Sequence, residues 1–395
     1  MRSRRDRPIY MDAHATTPLD PRVLAAMLPF FGEEFGNAAS RNHEYGRRAE
    51  AAVDRARGQV AAAIGASPKE IVWTSGATES DNLAVLGVAR AHRERGQHVV
   101  TCVTEHPAVL DPLLQLEREG WEVTRLRVSP DGHLDPEELR LALTAQTTLV
   151  SIMAANNEVG TLHPIRELAR IVHEHSPALF HTDAVQALGW IPLDVQEDGI
   201  DLLSISGHKI YGPKGVGALF VRRRRPTVRL APQQFGGGHE RGLRSGTLNV
   251  PGIVGLGVAA ELAAQGQADV APRIGALRDS LLAMLERELD QVLLNGDATR
   301  RLPNNLNVSF VGVDAEDLLN EIPGVAVSTG AACSSASLDP SHVITALGLG
   351  EARAASSIRF GLTRLQTREE VDRVAAEVVA GVRALRNADG IRSEC

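Results

Sequence analysis

Residues 201–220 read Asp-Leu-Leu-Ser-Ile-Ser-Gly-His-Lys-Ile-Tyr-Gly-Pro-Lys-Gly-Val-Gly-Ala-Leu-Phe. The apolar run Leu202, Leu203, Ile205 stops at Ser206-Gly207-His208-Lys209. Gly212-Pro213-Lys214-Gly215 then leads into a second apolar run, Val216 to Val221. Short apolar runs bounded by turn residues read as buried strands, so Lys209 lies at a strand end on a tight loop. The chain has three lysines, Lys69, Lys209 and Lys214, so 42 − 3 = 39 of its basic residues are arginine. A guanidinium binds anions but cannot form a Schiff base, whereas a lysine amine of lowered pKa can. Lys69, in Ser-Pro-Lys-Glu, reads as a turn residue. Lys214 shares the loop and competes with Lys209 for a chemical role.

Outward from this loop, strands and helices alternate. Ile71-Val72-Trp73 is a short strand, followed by Thr74-Ser-Gly-Ala-Thr-Glu-Ser-Asp81 and a helical period at Leu83, Val85, Leu86 and Val88. A strand, a small-residue turn and a helix start form an anion site, because first-turn amides are unpaired and the helix dipole favours negative charge. Thr78 with Asp81 also fits a capping box, so both readings stand. His98–Val103, Val123–Val128, Thr148–Ala154 and Leu179–Thr182 read as strands. Residues 48–64, 113–119 and 164–175 read as helices. The pattern predicts an α/β fold, a mostly parallel sheet with helices on both faces. Thr78, His106, Asn157, Asp183 and Ser206 each fall just past a strand's C-terminal end. Any one of them fits a cap or turn, but several at that edge mark a ligand site.

Near residue 265 the character changes, and Ala259 to Val292, rich in Ala, Leu and Arg, suggests long helices. Strands are expected at Asn305–Phe310, Val325–Ser328 and Ile358–Leu362, and helices near 315–320, 341–347 and 367–386, the last opened by a Thr367/Glu370 capping box. This is a smaller α+β domain. The expected organisation is an N-terminal segment (1–15) packing with the small domain, a large domain (16–262) and a small domain (263–395).

Composition narrows the function. The 395 residues are 43% hydrophobic with a net charge of −7, which argues against coating nucleic acid. No apolar stretch is long enough to span a bilayer, and no signal-peptide core follows the basic start. Cys102, Cys333 and Cys395, without CxxC spacing, exclude a disulfide scaffold and fit a reducing cytoplasm. Cys102, inside an apolar strand, reads as core, and Cys395 as an incidental thiol on a polar tail (387–395).

Several ordered motifs resemble the cysteine desulfurases of the NifS/IscS group, fold-type I pyridoxal phosphate (PLP) enzymes of the class V aminotransferase superfamily. They are Ala15-Thr-Thr-Pro18, Thr74 to Asn82, Thr104-Glu-His106, Asn156-Asn-Glu158, His181-Thr-Asp-Ala-Val-Gln186, Ser206-Gly-His-Lys209, Gly236 to Gly242 and Arg244-Ser-Gly-Thr247. The likeness runs from about Ile9 to Arg386. Ser328-Thr-Gly-Ala-Ala-Cys333-Ser-Ser-Ala-Ser337 resembles the group's longer cysteine loop. Its small residues without apolar period cannot anchor it by burial, which suits a moving thiol. His14 departs from the asparagine or tyrosine common at its position, and Thr329 and Ala331 replace serines.

The resemblance implies a division of labour. Lys209 forms the Schiff base with the cofactor. Asp183 pairs with the pyridine nitrogen, Gln186 bonds the phenolic oxygen, and His106 stacks on the ring and moves protons. Ala77, Thr78, Ser206, Gly207 and His208 hold the phosphate, with Thr247 reaching it from the partner subunit of a homodimer. Asn157 and Arg359 bind the carboxylate of L-cysteine. Cys333 takes the sulfur as a persulfide for an iron–sulfur scaffold or another sulfur acceptor. No resident metal is expected, only a transient iron–sulfur contact at Cys333. A selenocysteine lyase, an ordinary class V aminotransferase and a docking platform that retains PLP stay open. Cys333 favours the desulfurase, since transamination needs no thiol.

Overall fold

The structure, a computed structural model, describes residues 7–224, 227–329 and 341–393, with side chains as far as 388. Its strands are β1 (Ile9–Tyr10), β2 (Ile71–Thr74), β3 (His98–Cys102), β4 (Glu122–Leu126), β5 (Thr147–Ser151), β6 (Leu179–Asp183), β7 (Leu202–Ser206), β8 (Gly217–Val221), β9 (Val292–Leu294), β10 (Asn305–Phe310), β11 (Val325–Ala326) and β12 (Ser357–Gly361). Seven of them form one sheet in the order β2-β8-β7-β6-β5-β3-β4. Only β8 runs against its neighbours, pairing antiparallel with β2 and β7. This is the expected α/β architecture.

The period-2 alternation of each strand sorts side chains onto two buried faces. Val72, Val99, Leu149, Leu179, Leu202 and Leu219 pack under helices Ala77–His92 and Pro107–Arg118. Trp73, Val100, Val150, Phe180, Leu203 and Phe220 face the opposite core. Register holds them opposite one another, Leu203 with Phe220 and Val150 with Phe180. Truncating Phe180, fully buried, costs about 3–5 kcal/mol on large-to-small precedent.

A second, antiparallel sheet β12-β10-β9 carries the C-terminal part, and β1 pairs in parallel with β11, Ile9 opposite Val325. Helix Val250–Glu288 is continuous across residues 262 and 263, where the sequence suggests a change of domain. Among the described residues no helix is long and apolar enough to cross a membrane.

The two expected capping boxes fare differently. Thr367 and Glu370 form theirs, at 3.1 and 3.2 Å. Thr78 and Asp81 do not: the helix begins at Ala77 behind Gly76, with no side-chain cap. Instead Glu79 accepts from the Ser75 amide at 2.8 Å, and Asp81 is buried beneath the sheet edge. The last helix also runs on to Ser393, past the expected end at Arg386. The helix expected over 113–119 already begins at Pro107, capped by His106.

Candidate active site

Because β2, β3, β5, β6 and β7 all point the same way, their C-terminal ends open on one edge of the sheet. A cavity of about 750 Å³ lies there. Ala77, Thr78, His106, Asn157, Asp183, Gln186, Ser206, His208 and Lys209 line it together. Gly207 lies in the turn below. Its amide donates to the Val216 carbonyl at 3.0 Å, and a Cβ there would stand 2.7 Å from the Pro213 carbonyl oxygen. Only glycine turns the chain tightly enough to lift His208 and Lys209 into the cavity.

Lys209 follows β7 on a short 3₁₀ turn. Its Nζ donates to the Ala15 carbonyl at 2.9 Å and to the His14 carbonyl. The segment 12–20, which turns at residues 13–15, is stitched to the same loop. Thr17 Oγ1 accepts from the Tyr211 amide at 2.8 Å and donates to the His208 carbonyl at 2.9 Å.

Asp183 ends β6, and its Oδ1 accepts from the Val185 amide at 2.9 Å. Burial pushes its carboxyl up to about 6, opposed by that amide and by the Lys209 charge. Two more carboxyl groups lie close by. Burial and Asp183 raise Asp81 well above the usual range, opposed by the Ser204 side chain, and His181 Nε2 stands 3.6 Å from its Oδ1. Glu105 is raised likewise, although it accepts from the Met153 amide at 2.7 Å. A carboxylate under this much desolvation gains from any cation brought into the cavity.

His106 caps helix Pro107–Arg118, its Nδ1 accepting from the Ala108 amide at 3.0 Å. Burial, then the charges of Lys209 and His342, lower it to about 4. It is neutral at physiological pH, and Nδ1 being the acceptor puts the proton on Nε2.

Two of the predicted residues stand elsewhere. Arg359 is fully buried but backs the cavity wall. Its Nη1 donates to the Asn157 carbonyl and its Nη2 to Asp12, both at 3.0 Å. Thr247 is exposed and does not line its own chain's cavity. Cys333, like Cys395, lies outside the described residues. Cys102 is buried, bonded to Thr104 at 3.1 Å, its thiol pushed up to about 12 by burial, which makes it inert.

Sequence reasoning missed His14, Thr16 and Glu79 as cavity residues, while Lys214, singled out as the competitor of Lys209, lines the cavity with it. Only His14 carried a signal, its departure from the family pattern. The others need the fold to bring them in.

The donor set suits pyridoxal phosphate. Uncapped first-turn amides of a 16-residue helix, with Ser206, His208 and Lys214 nearby, suit a phosphate. Asp183 suits a protonated ring nitrogen, and Lys209 is the amine available to an aldehyde.

Comparison with known proteins agrees with this geometry. The family described as Aminotransferase class-V matches residues 9–374. A cysteine desulfurase IscS of Anaeromyxobacter sp. (strain Fw109-5) is 60% identical over 379 residues, spanning 96% of this chain and 93% of that protein. The cysteine desulfurase of Homo sapiens is 52% identical over 380 residues, 96% of this chain and 83% of that one. A solved NifS-like protein superposes with a TM-score of 0.88 at 38% identity, covering 94% of this chain and 98% of its own.

Proposed function

The chain belongs to the aminotransferase class-V family, and on that premise we propose that it is a PLP-dependent cysteine desulfurase. The observation that carries the reading is Lys209 and Asp183 in one cavity, a rare lysine facing a buried carboxylate at the sheet edge. Relatives at 50–60% identity bearing the desulfurase name support it.

When bound, the cofactor draws electrons from the substrate's Cα and so opens its sulfur to a nucleophile. The chain's own residues supply the rest. Lys209 holds the cofactor and moves the Cα proton. Asp183 keeps the ring nitrogen charged, and Gln186 meets the ring oxygen. His106 covers the ring and passes protons through Nε2. The amides of Ala77 and Thr78, with Ser206, Gly207 and His208, hold the phosphate. Asn157 receives the substrate carboxylate, and Arg359, one layer behind, fixes the Asn157 main chain.

Cys333 is the sulfur acceptor on the enzyme. Its thiolate bonds to the sulfur of L-cysteine as the substrate's Cβ–S bond breaks, and a proton added at Cβ gives L-alanine. Substrate thiol plus enzyme thiol become alanine plus enzyme persulfide, with no outside oxidant. The persulfide then passes to an iron–sulfur scaffold or another acceptor protein.

A homodimer completes the site. Exposed Phe31, Phe35, Tyr45 and Phe235 offer apolar surface for a second copy, and Thr247 is free of its own cavity to serve the neighbour's phosphate. Large and small domains meeting near residue 262, with the small one carrying the cysteine loop, complete the reading.

Purified protein given PLP, a thiol reductant and L-cysteine should release alanine and sulfide in equal amounts. Cys333→Ser should bind PLP and cysteine yet release almost neither. A transaminase would be untouched by that change. Retained activity in Cys333→Ser with loss in Cys102→Ser or Cys395→Ser would refute the assignment of the nucleophile.

A further inference from the structure

His14 sits where the cavity, the N-terminal segment and β12 meet, with 1% of its surface exposed. Its ring Nδ1 lies 2.9 Å from Gln186 Oε1, and Gln186 Nε2 returns a hydrogen bond to the His14 carbonyl at 3.1 Å. The same carbonyl accepts from Lys209 Nζ. Two site residues from different strand ends, Gln186 after β6 and Lys209 after β7, therefore meet on one residue more than 170 positions away.

The pairing has a sense. An amide oxygen only accepts, so Nδ1 must carry the proton. Turning the Gln186 amide over would set its oxygen against the His14 carbonyl oxygen, which two acceptors forbid. The ring is neutral: burial, then the charges of Arg359 and Lys209, lower it to about 3, against the contacts with Gln186 and the Asn304 backbone. Asp12 faces the other side of Arg359. Gly361 packs against the ring so closely that a Cβ there would stand 2.8 Å from His14 Cδ2.

From this geometry we infer that His14 is a positioning residue for the proposed reaction, fixing the Gln186 amide so that its second N–H points at the cofactor's phenolic oxygen. The inference rests on the PLP reading above. A free glutamine side chain has three rotatable bonds and loses that freedom on binding. Held at Oε1 by the ring and at one N–H by the His14 carbonyl, Gln186 presents its remaining N–H already oriented. A donor there stabilises the deprotonated ring oxygen. The visible absorbance of the holoenzyme, which reports proton exchange beside that oxygen, then titrates lower than it would without the donor.

The test is a pH titration of holoenzyme absorbance, with PLP content and thermal stability measured alongside. Gln186→Ala and His14→Ala should each raise the midpoint by about one pH unit, the worth of one hydrogen bond to a charged group. The double variant should move no further than either single one, since both break the same contact. His14→Asn, whose Nδ2 stands near the place of the ring Nδ1, should return the midpoint close to that of the parent. A His14→Ala midpoint equal to the parent's, with Gln186→Ala shifted, overturns the inference and leaves the PLP reading standing. Additive shifts in the double variant also overturn it. An unshifted Gln186→Ala removes Gln186 from the cofactor and the inference with it, while holoenzyme that fails to form in the parent chain refutes the PLP reading itself.

Discussion

Two buried polar clusters, one in each sheet, are built on opposite terms. In the small sheet Asn295 Nδ2 meets Asn307 Oδ1 at 2.8 Å, Ser309 Oγ at 2.9 Å and Ser357 Oγ at 3.1 Å, while its Oδ1 accepts from Arg353 Nε at 2.7 Å. Every group answers another, and such a closed network specifies a core. At the edge of the large sheet Asp81, Glu105 and Asp183 lie close together, all pushed up by burial, and Asp81 is answered loosely, by the Ser204 side chain and by His181 Nε2 at 3.6 Å. That cluster is stable only because the fold elsewhere supports it, and it gains when a cation arrives. A closed network marks structure, and an open one marks a site.

The contrast can be broken in order of expected effect. Lys209→Ala should cut alanine formation about thousandfold or more, by removing both the attachment and the proton carrier. Retained turnover would move the chemistry to Lys214. Asp183→Asn should weaken PLP binding about 10- to 100-fold, the worth of a hydrogen bond to a charged group. Its pH dependence sharpens the point. Below about 6 the carboxyl of the cofactor-free site holds a proton that must leave before it can pair with a cation. PLP affinity should therefore fall as pH drops below about 6, by about tenfold per unit, and the Asn variant should lose this slope. Equilibrium dialysis across pH 5–8 reads both.

On the closed side, Asn295→Ala should cost about 2–3 kcal/mol of stability, because it takes their partner from Arg353 Nε and Asn307 Oδ1. Activity per folded molecule should stay within about twofold. Denaturant unfolding with an activity assay checks this. The smallest effect belongs to Asp81→Asn. Replacing a buried, loosely paired carboxyl by a neutral amide of the same shape should leave cofactor-free stability within about 1 kcal/mol of the parent, or raise it. A loss as large as that of Asn295→Ala would erase the distinction between the clusters.

Much of this was legible in the chain because local signals and tertiary outcome agree. Strands β2, β5, β6 and β7 are short apolar runs whose polar successors all reach one edge, and parallel topology guarantees that convergence. Lys209 stood out because the chain otherwise avoids lysine. The failures are places where tertiary structure overruled local pattern. Thr78 and Asp81 have capping-box spacing, yet the helix begins at Ala77 and draws Asp81 underneath, which leaves the first-turn amides to a ligand. His14 lies in a short turn whose one sequence signal is its departure from the family pattern, and only the folded chain brings it against Gln186 and Lys209. Arg359 does not line the cavity, its Nη1 and Nη2 donating to the Asn157 carbonyl and Asp12, and its expected contact with the substrate stays a proposal.

The most direct measurement maps the cofactor's point of attachment. Holoenzyme reduced with borohydride and digested should yield one pyridoxyl-labelled peptide, carrying the label on Lys209. A label on Lys214 or Lys69, or no labelled peptide from protein that has bound PLP, would contradict the account.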